Sequence, residues 1–177
     1  AFKFYLQAAE QGHVKAQFNL GLMYDKGRGV TADNKETVKW FRLAAEQGLT
    51  EAQYNLGLMY SNGRGVTQDD GKAFRWYNLA AEQGNASAQF NLASMYSNGV
   101  GVTQDYGKAI EWYRLAAEQG DAKAQYNLGN MYSKGRGVPQ DDKTAVKWYK
   151  LAAEQGDADA QNELGNMYRQ GKGVPQD

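Results

Sequence analysis

The chain has 177 residues, with 20 basic and 20 acidic side chains and no cysteine. A formal net charge of zero gives no field to gather phosphate backbones or anionic lipid, which argues against nucleic-acid and membrane-surface roles. The lack of cysteine excludes disulfides, thiolate catalysis and cysteine-held metal sites and leaves the compartment unread, and no apolar run approaches the ~18 residues a membrane-crossing helix needs.

The pentapeptide AAEQG at 8–12 returns at 44–48, 80–84, 116–120 and 152–156, a fixed interval of 36 residues. Within the period 13–48, Ala16, Leu20, Met23 and Tyr24 fall at i, i+4, i+7 and i+8, one face of a helix over 14–26. Gly27 and Gly29 stop it. Asp33, with Glu36 three residues on, caps a second helix. That helix continues through Val38, Trp40, Phe41, Leu43, Ala44 and Ala45 and ends at Gly48, a C′ glycine. AAEQG is thus the last turn of a helix with its stop signal.

In chain order the predicted helices run over 2–11, 14–26, 34–47, 50–62, 70–83, 86–98, 106–119, 122–134, 142–155 and 158–170. They form one repeat array: a second-helix half-unit at 1–12, full repeats at 13–48, 49–84, 85–120 and 121–156, and a first-helix half-unit with its loop at 157–177. Ala1 falls inside a unit that lacks its beginning, so the chain reads as a piece of a longer array whose leader and compartment are unreadable.

On a helical wheel the second helix is apolar over more than half its circumference, with Lys39, Arg42 and Glu46 as its polar stripe. A helix that apolar must be covered on two sides, by its own partner and by the neighbouring unit, which is the logic of a stacked all-α solenoid. The pattern A-x-A-Q-[FY]-N-L-G-x-M-Y, G-x-G-V, D, W-[FY], A-A-E-Q-G resembles the Sel-one-like repeat, a relative of the tetratricopeptide repeat, over essentially the whole chain. The resemblance implies a right-handed superhelix of antiparallel helix pairs with the first helices on the concave wall. It also implies a role as an adaptor that assembles other proteins. A disulfide-linked bacterial branch of that family carries paired cysteines, and this chain does not match it.

Gly21, Gly57, Gly129 and Gly165 lie mid-helix, where glycine costs about 1 kcal/mol relative to alanine. Ala93 takes their place in one repeat. Close approach of the paired helix explains the small residue. Trp40, Trp76, Trp112 and Trp148 are expected in the core, as are Tyr24, Tyr60, Tyr96, Tyr132 and Tyr168, their phenols reaching a backbone or loop partner.

The far side of the first helix carries Lys15, Asn19, Leu22 and Lys26, flanked by Phe18 and Asp25. Repetition turns these into ladders: Asn19, Asn55, Asn91 and Asn127, ending in Glu163; Phe18, Tyr54, Phe90 and Tyr126, ending in Asn162; and Lys15, Glu51, Ser87, Lys123 and Asp159. Fixed amides beside variable charges suit a surface that holds an extended backbone and selects side chains locally. The expected partner-binding residues are Lys15, Phe18, Asn19, Tyr54, Asn55, Phe90, Asn91, Lys123, Tyr126 and Asn127. The competing reading has the asparagines bridging helices or merely solvated. Some tetratricopeptide domains grip a carboxylate with a lysine and asparagines on their first helices, followed by two cations. Lys15, Asn19 and Asn55 match that pattern, while Ser87 and Asn91 stand where the cations would be.

His13, the sole histidine, is expected in a solvent-exposed turn, and no serine, histidine or carboxylate pattern seeds a nucleophile or metal site. The G-x-G stretches follow a helix rather than a strand, unlike a dinucleotide loop. Asp69-Asp70 and Asp141-Asp142 open second helices, where carboxylates favour the dipole.

These residues read as a non-catalytic scaffold without cofactor or metal, binding a protein or extended peptide in its concave groove. One alternative is a structural array that acts by end-to-end stacking, and another a cell-wall or carbohydrate-directed enzyme or enzyme subunit. Head-to-tail self-association follows from apolar ends, with Asp177 placed to cap the helix that Ala1 interrupts.

Overall fold

A computed structural model describes residues 1–173. Among them the regular elements are α1 (Phe2–Glu10), α2 (Val14–Lys26), α3 (Asn34–Glu46), α4 (Thr50–Asn62), α5 (Asp70–Glu82), α6 (Ala86–Asn98), α7 (Tyr106–Glu118), α8 (Ala122–Lys134), α9 (Asp142–Glu154) and α10 (Ala158–Arg169), with no strand. The fold is an all-α solenoid. Five first helices and five second helices lie where the periodicity puts them, each second helix ending one residue earlier than expected. The expected cap at Asp177 lies outside the described residues.

Asp33 caps α3 by accepting from the backbone N–H groups of Lys35 and Glu36 at 2.8 and 3.2 Å, and Asp69, Asp105 and Asp141 repeat the cap. Glu36 does not reach back to complete a capping box; it takes Trp40 Nε1–H at 3.1 Å and Lys39 Nζ at 3.1 Å. At the far end of α3, Gly48 adopts φ 89°, a left-handed conformation costly to other residues.

The chain forms two compact units, one ending at Asn85 and the other beginning at Ala86. In the first, each of α1 to α5 packs on the next, and in the second α6 to α10 do the same. Leu20 and Leu56 in the first unit, and Leu92 and Leu128 in the second, are fully buried. Around Leu20 gather Ala9, Ala16 and Trp40, while in the second unit Tyr149 anchors a cluster of Ala145, Val146, Ala152, Ala160 and Met167.

The mid-helix glycines admit an aromatic ring. A Cβ at Gly21 would stand 2.6 Å from Phe41 Cδ1, one at Gly57 2.7 Å from Tyr77, and one at Gly129 2.7 Å from Tyr149. The buried rings are therefore Phe41, Tyr77, Tyr113 and Tyr149, one position after the tryptophans. Trp40 is buried under Glu36 and Lys39, but Trp76, Trp112 and Trp148 are only half-buried, which corrects the expectation for three of the four. Where α3 has Glu36, the later second helices have Lys72, Lys108 and Thr144, and the first two of these lysines lie over Tyr60 and Tyr96 instead. Leu43 and Leu79, and in the other unit Leu115 and Leu151, are 37–44% exposed rather than core.

Candidate functional site

The repeated glutamines show what AAEQG does in the fold. Gln17 and Gln53 in the first unit, and Gln89 and Gln125 in the second, are buried at 4% exposure on their first helices. Gln53 Nε2 donates to Ala45 O at 3.2 Å, at the end of the preceding second helix. Its Oε1 accepts from Gln83 Nε2, at the end of the following one, at 2.7 Å. Gln17 bonds Ala9 O and Gln47 in the same way, and Gln125 bonds Ala117 O and Gln155. Sequence reasoning passed over this clamp, although two invariant glutamines 30 residues apart on otherwise apolar faces were its visible signal.

The tyrosine hydroxyls also find partners that the periodicity does not reveal. Tyr60 OH accepts from Arg42 Nη2 at 2.9 Å and Tyr132 OH from Arg114 Nη2 at 3.2 Å, so a second-helix arginine takes the role expected of backbone or loop. Tyr60 and Tyr96 are buried, Tyr24 and Tyr132 half-buried, and Tyr168 is 48% exposed. Tyr149 OH donates to Asn130 Oδ1 at 3.0 Å. Burial raises the pKa of Tyr113 and Tyr149 above the ordinary phenol value, and at Tyr149 the charge of Glu163 adds to it.

On the first-helix face, the asparagines Asn19, Asn55, Asn91 and Asn127 are all half-buried at one register. Asn55 Nδ2 donates to Glu51 O at 2.7 Å and Asn127 Nδ2 to Lys123 O at 2.9 Å, each within its own helix. Such a bond fixes the orientation of the amide. The aromatic ladder faces the second helix rather than open solvent. Phe18 packs on Phe41 at 5.5 Å between centroids and Tyr54 on Tyr77 at 6.0 Å; in the other unit Phe90 packs on Tyr113 at 5.8 Å and Tyr126 on Tyr149 at 5.9 Å. All four remain half-buried. Lys15 and Lys123 are exposed.

His13 is exposed as expected, and it also serves the fold locally. Its Nδ1 accepts from Ala16 N–H at 3.3 Å to cap α2, as Asp121 and Asp157 cap α8 and α10. Among the described residues no group of three histidine, cysteine, aspartate or glutamate side chains could hold a metal ion, and no helix is long and apolar enough to cross a membrane.

The family model described as "Sel1 repeat" matches residues 1–13, 14–49, 50–85, 86–121, 122–157 and 158–177. Among solved structures, the chain is similar to c5321, a protective antigen of uropathogenic Escherichia coli strains displaying an SLR fold. Identity is 45% and the TM-score 0.95, over 99% of this chain and 38% of that one. A Sel1 repeat protein from Oxalobacter formigenes is 40% identical with a TM-score of 0.90, over 94% of this chain and 69% of that one. The immunity protein Pa5087 of Pseudomonas aeruginosa is 25% identical with a TM-score of 0.54, over 90% and 59%. This chain therefore spans well under half of the c5321 chain. No curated protein matches it.

Proposed function

Because the chain belongs to the Sel1 repeat family, whose members generally mediate protein–protein interaction and are generally non-catalytic, we propose that it is a scaffold that binds an extended peptide or a partner's extended segment along its first-helix face. The carrying observation is the register of Asn19 and Asn55 in the first unit, and of Asn91 and Asn127 in the second, each half-buried and next in sequence to an aromatic residue. An amide offers a donor and an acceptor together, which is what a peptide backbone presents, so a row of them binds main chain without regard to side chain. Selectivity then falls to the position four residues earlier, where Lys15, Glu51, Ser87, Lys123 and Asp159 differ in charge.

The test is calorimetric titration of a peptide selected from a random library on the wild-type chain, repeated on the Asn55→Ala/Asn91→Ala double variant. A loss of at least tenfold in affinity at unchanged melting temperature supports the reading. Unchanged affinity removes the asparagine row from the binding face.

A further inference from the structure

We propose that Asn130 selects a side chain of the segment bound by the second unit, admitting a neutral hydrogen-bond acceptor such as a glutamine amide, where Leu58 of the first unit admits an apolar group. This assignment rests on the first-helix face being the binding surface proposed above. Three residues after each asparagine of the row, on the same side of the helix, stand Leu22 and Leu58 in the first unit and Ser94 and Asn130 in the second, all half-buried. The amides stay constant from repeat to repeat, and the position beside them changes chemistry.

The change follows the buried ring of the second helix. Each of the four residues precedes such a ring by 19 positions: Leu22 by Phe41, Leu58 by Tyr77, Ser94 by Tyr113 and Asn130 by Tyr149. Tyr149 crosses α8 at Gly129, where a Cβ would stand 2.7 Å from the ring. Its hydroxyl therefore emerges at the next residue and donates to Asn130 Oδ1 at 3.0 Å. In the same register Ser94 interacts with the hydroxyl of Tyr113. Phe41 has no hydroxyl, and the residue in register with it is leucine.

The phenol hydrogen holds the Asn130 amide with its oxygen toward the ring. Asn130 Nδ2 has no partner among the described residues, and among them no buried side-chain nitrogen lacks one, so this nitrogen reaches solvent as a donor. A donor selects an acceptor. A carboxylate is disfavoured there, because Glu163 lies close enough for its charge to act on the Tyr149 hydroxyl and would repel a second anion. An uncharged amide supplies the acceptor without that repulsion. At the register of Leu58 no side-chain bond is on offer, so covering a polar group costs more than covering an apolar one. Tyr149 acts through Asn130 and is a positioning residue.

The test starts from peptides selected from a random library on the wild-type chain, keeping one whose affinity falls on Asn127→Ala and which therefore lies on the second unit. Each of its positions is replaced in turn by glutamine and by leucine, and affinities are measured by calorimetry. On the wild type, one position is expected to prefer glutamine by about fivefold, the size of one neutral hydrogen bond. Asn130→Leu/Tyr149→Phe installs the Leu22 and Phe41 combination that the first unit already folds with, and the preference at that position should reverse. Tyr149→Phe alone should erase the glutamine preference while leaving the affinity of the leucine peptide unchanged; lowering both peptides alike would overturn the positioning role. An Asn127-dependent peptide whose preferences are the same on the wild type and on Asn130→Leu/Tyr149→Phe overturns the assignment and leaves the binding face standing. If no selected peptide depends on Asn127, the face itself fails in this unit and the assignment falls with it.

Discussion

Gln83 Nε2 donates to Gln53 Oε1 at 2.7 Å across 30 residues of sequence, and Gln53 in turn holds the carbonyl of Ala45. One buried side chain thereby joins the ends of two successive second helices, α3 and α5, through the first helix that lies between them. Gln53→Ala removes both bonds, while Ala45 O keeps the Gly48 N–H at 3.0 Å and Gln83 Nε2 keeps a longer bond to Leu79 O at 3.4 Å, so the loss should be about 0.5–1.5 kcal/mol per bond. A double-mutant cycle on Gln53 and Gln83, read by urea unfolding, is expected to give a coupling of about 0.5–1.5 kcal/mol. Additive single effects would show that the pair carries no joint energy.

The helices and most of their bounds were legible because apolar spacing, aspartate caps and C′ glycines all point the same way in every repeat. The clamp was not, because an alternation of apolar residues marks a face without saying which polar side chain on it reaches across to another helix. The tryptophans misled for a related reason. Period alone puts Trp40 and Trp76 on one face, but Trp40 is buried with Glu36 bonded to its indole and Lys39 over its ring, and the later repeats carry Lys72, Lys108 and Thr144 in place of Glu36. The bonds of Asn55 and Asn127 back to Glu51 and Lys123 were invisible in letters, since they depend on the rotamer.

Ala93 is fully buried where the other first helices carry glycine, and the Phe90–Tyr113 rings beside it meet at 54° rather than the 41–42° of Tyr54–Tyr77 and Tyr126–Tyr149. The ring has room to yield to one methyl group. Gly57→Ala should therefore change stability by no more than about 1 kcal/mol, the helix-propensity gain offsetting the shift of Tyr77. Ala93→Leu has no such room and should destabilise by about 1–3 kcal/mol through overpacking. Thermal melts of both variants check the contrast; equal melting for Ala93→Leu and wild type would show an open site.

Asp141 is held below the ordinary carboxylate pKa, first by the side-chain bond from Thr144 and then by its backbone N–H. Asp69 is lowered by the backbone and side chain of Lys72. A lowered folded-state pKa means stability present above the unfolded value of about 3.9 and lost as pH falls through the folded value. The melting difference between wild type and Asp141→Ala should stay constant from neutral pH to about 5 and shrink below about 4. A difference that grows in acid would reverse the sign.

At the alkaline end the same linkage runs the other way. Burial raises Tyr113 and Tyr149, so above the unfolded phenol value of about 10 the unfolded chain ionises first and stability falls as pH rises. Tyr113→Phe/Tyr149→Phe should flatten that loss, read as melting temperature against pH with phenolate absorbance followed in parallel. If the double variant falls as steeply as wild type, these phenols do not govern the alkaline limb.

A peptide bound along the first-helix face should owe little to a free C-terminal carboxylate. Gripping a carboxylate takes cations that donate charge-assisted bonds, each worth ~1.5–3 kcal/mol, and α6 supplies Ser87 and Asn91 instead. Further along, Asp159 is exposed and Glu163 half-buried on α10, where they repel an anion and favour a basic segment. Amidating the C-terminus of a selected peptide should therefore change its affinity by less than tenfold, about 1.4 kcal/mol. The same peptide should lose affinity on Asn55→Ala. Removing that amide deletes only a bond to the Glu51 carbonyl within its own helix and installs the best helix former, so the melting temperature should hold or rise by the equivalent of about 0.5 kcal/mol. Calorimetry on the amide and acid forms, with melts of the variant, decides it. A loss beyond tenfold on amidation would place a cationic clamp on this face and displace the amide row as the backbone reader.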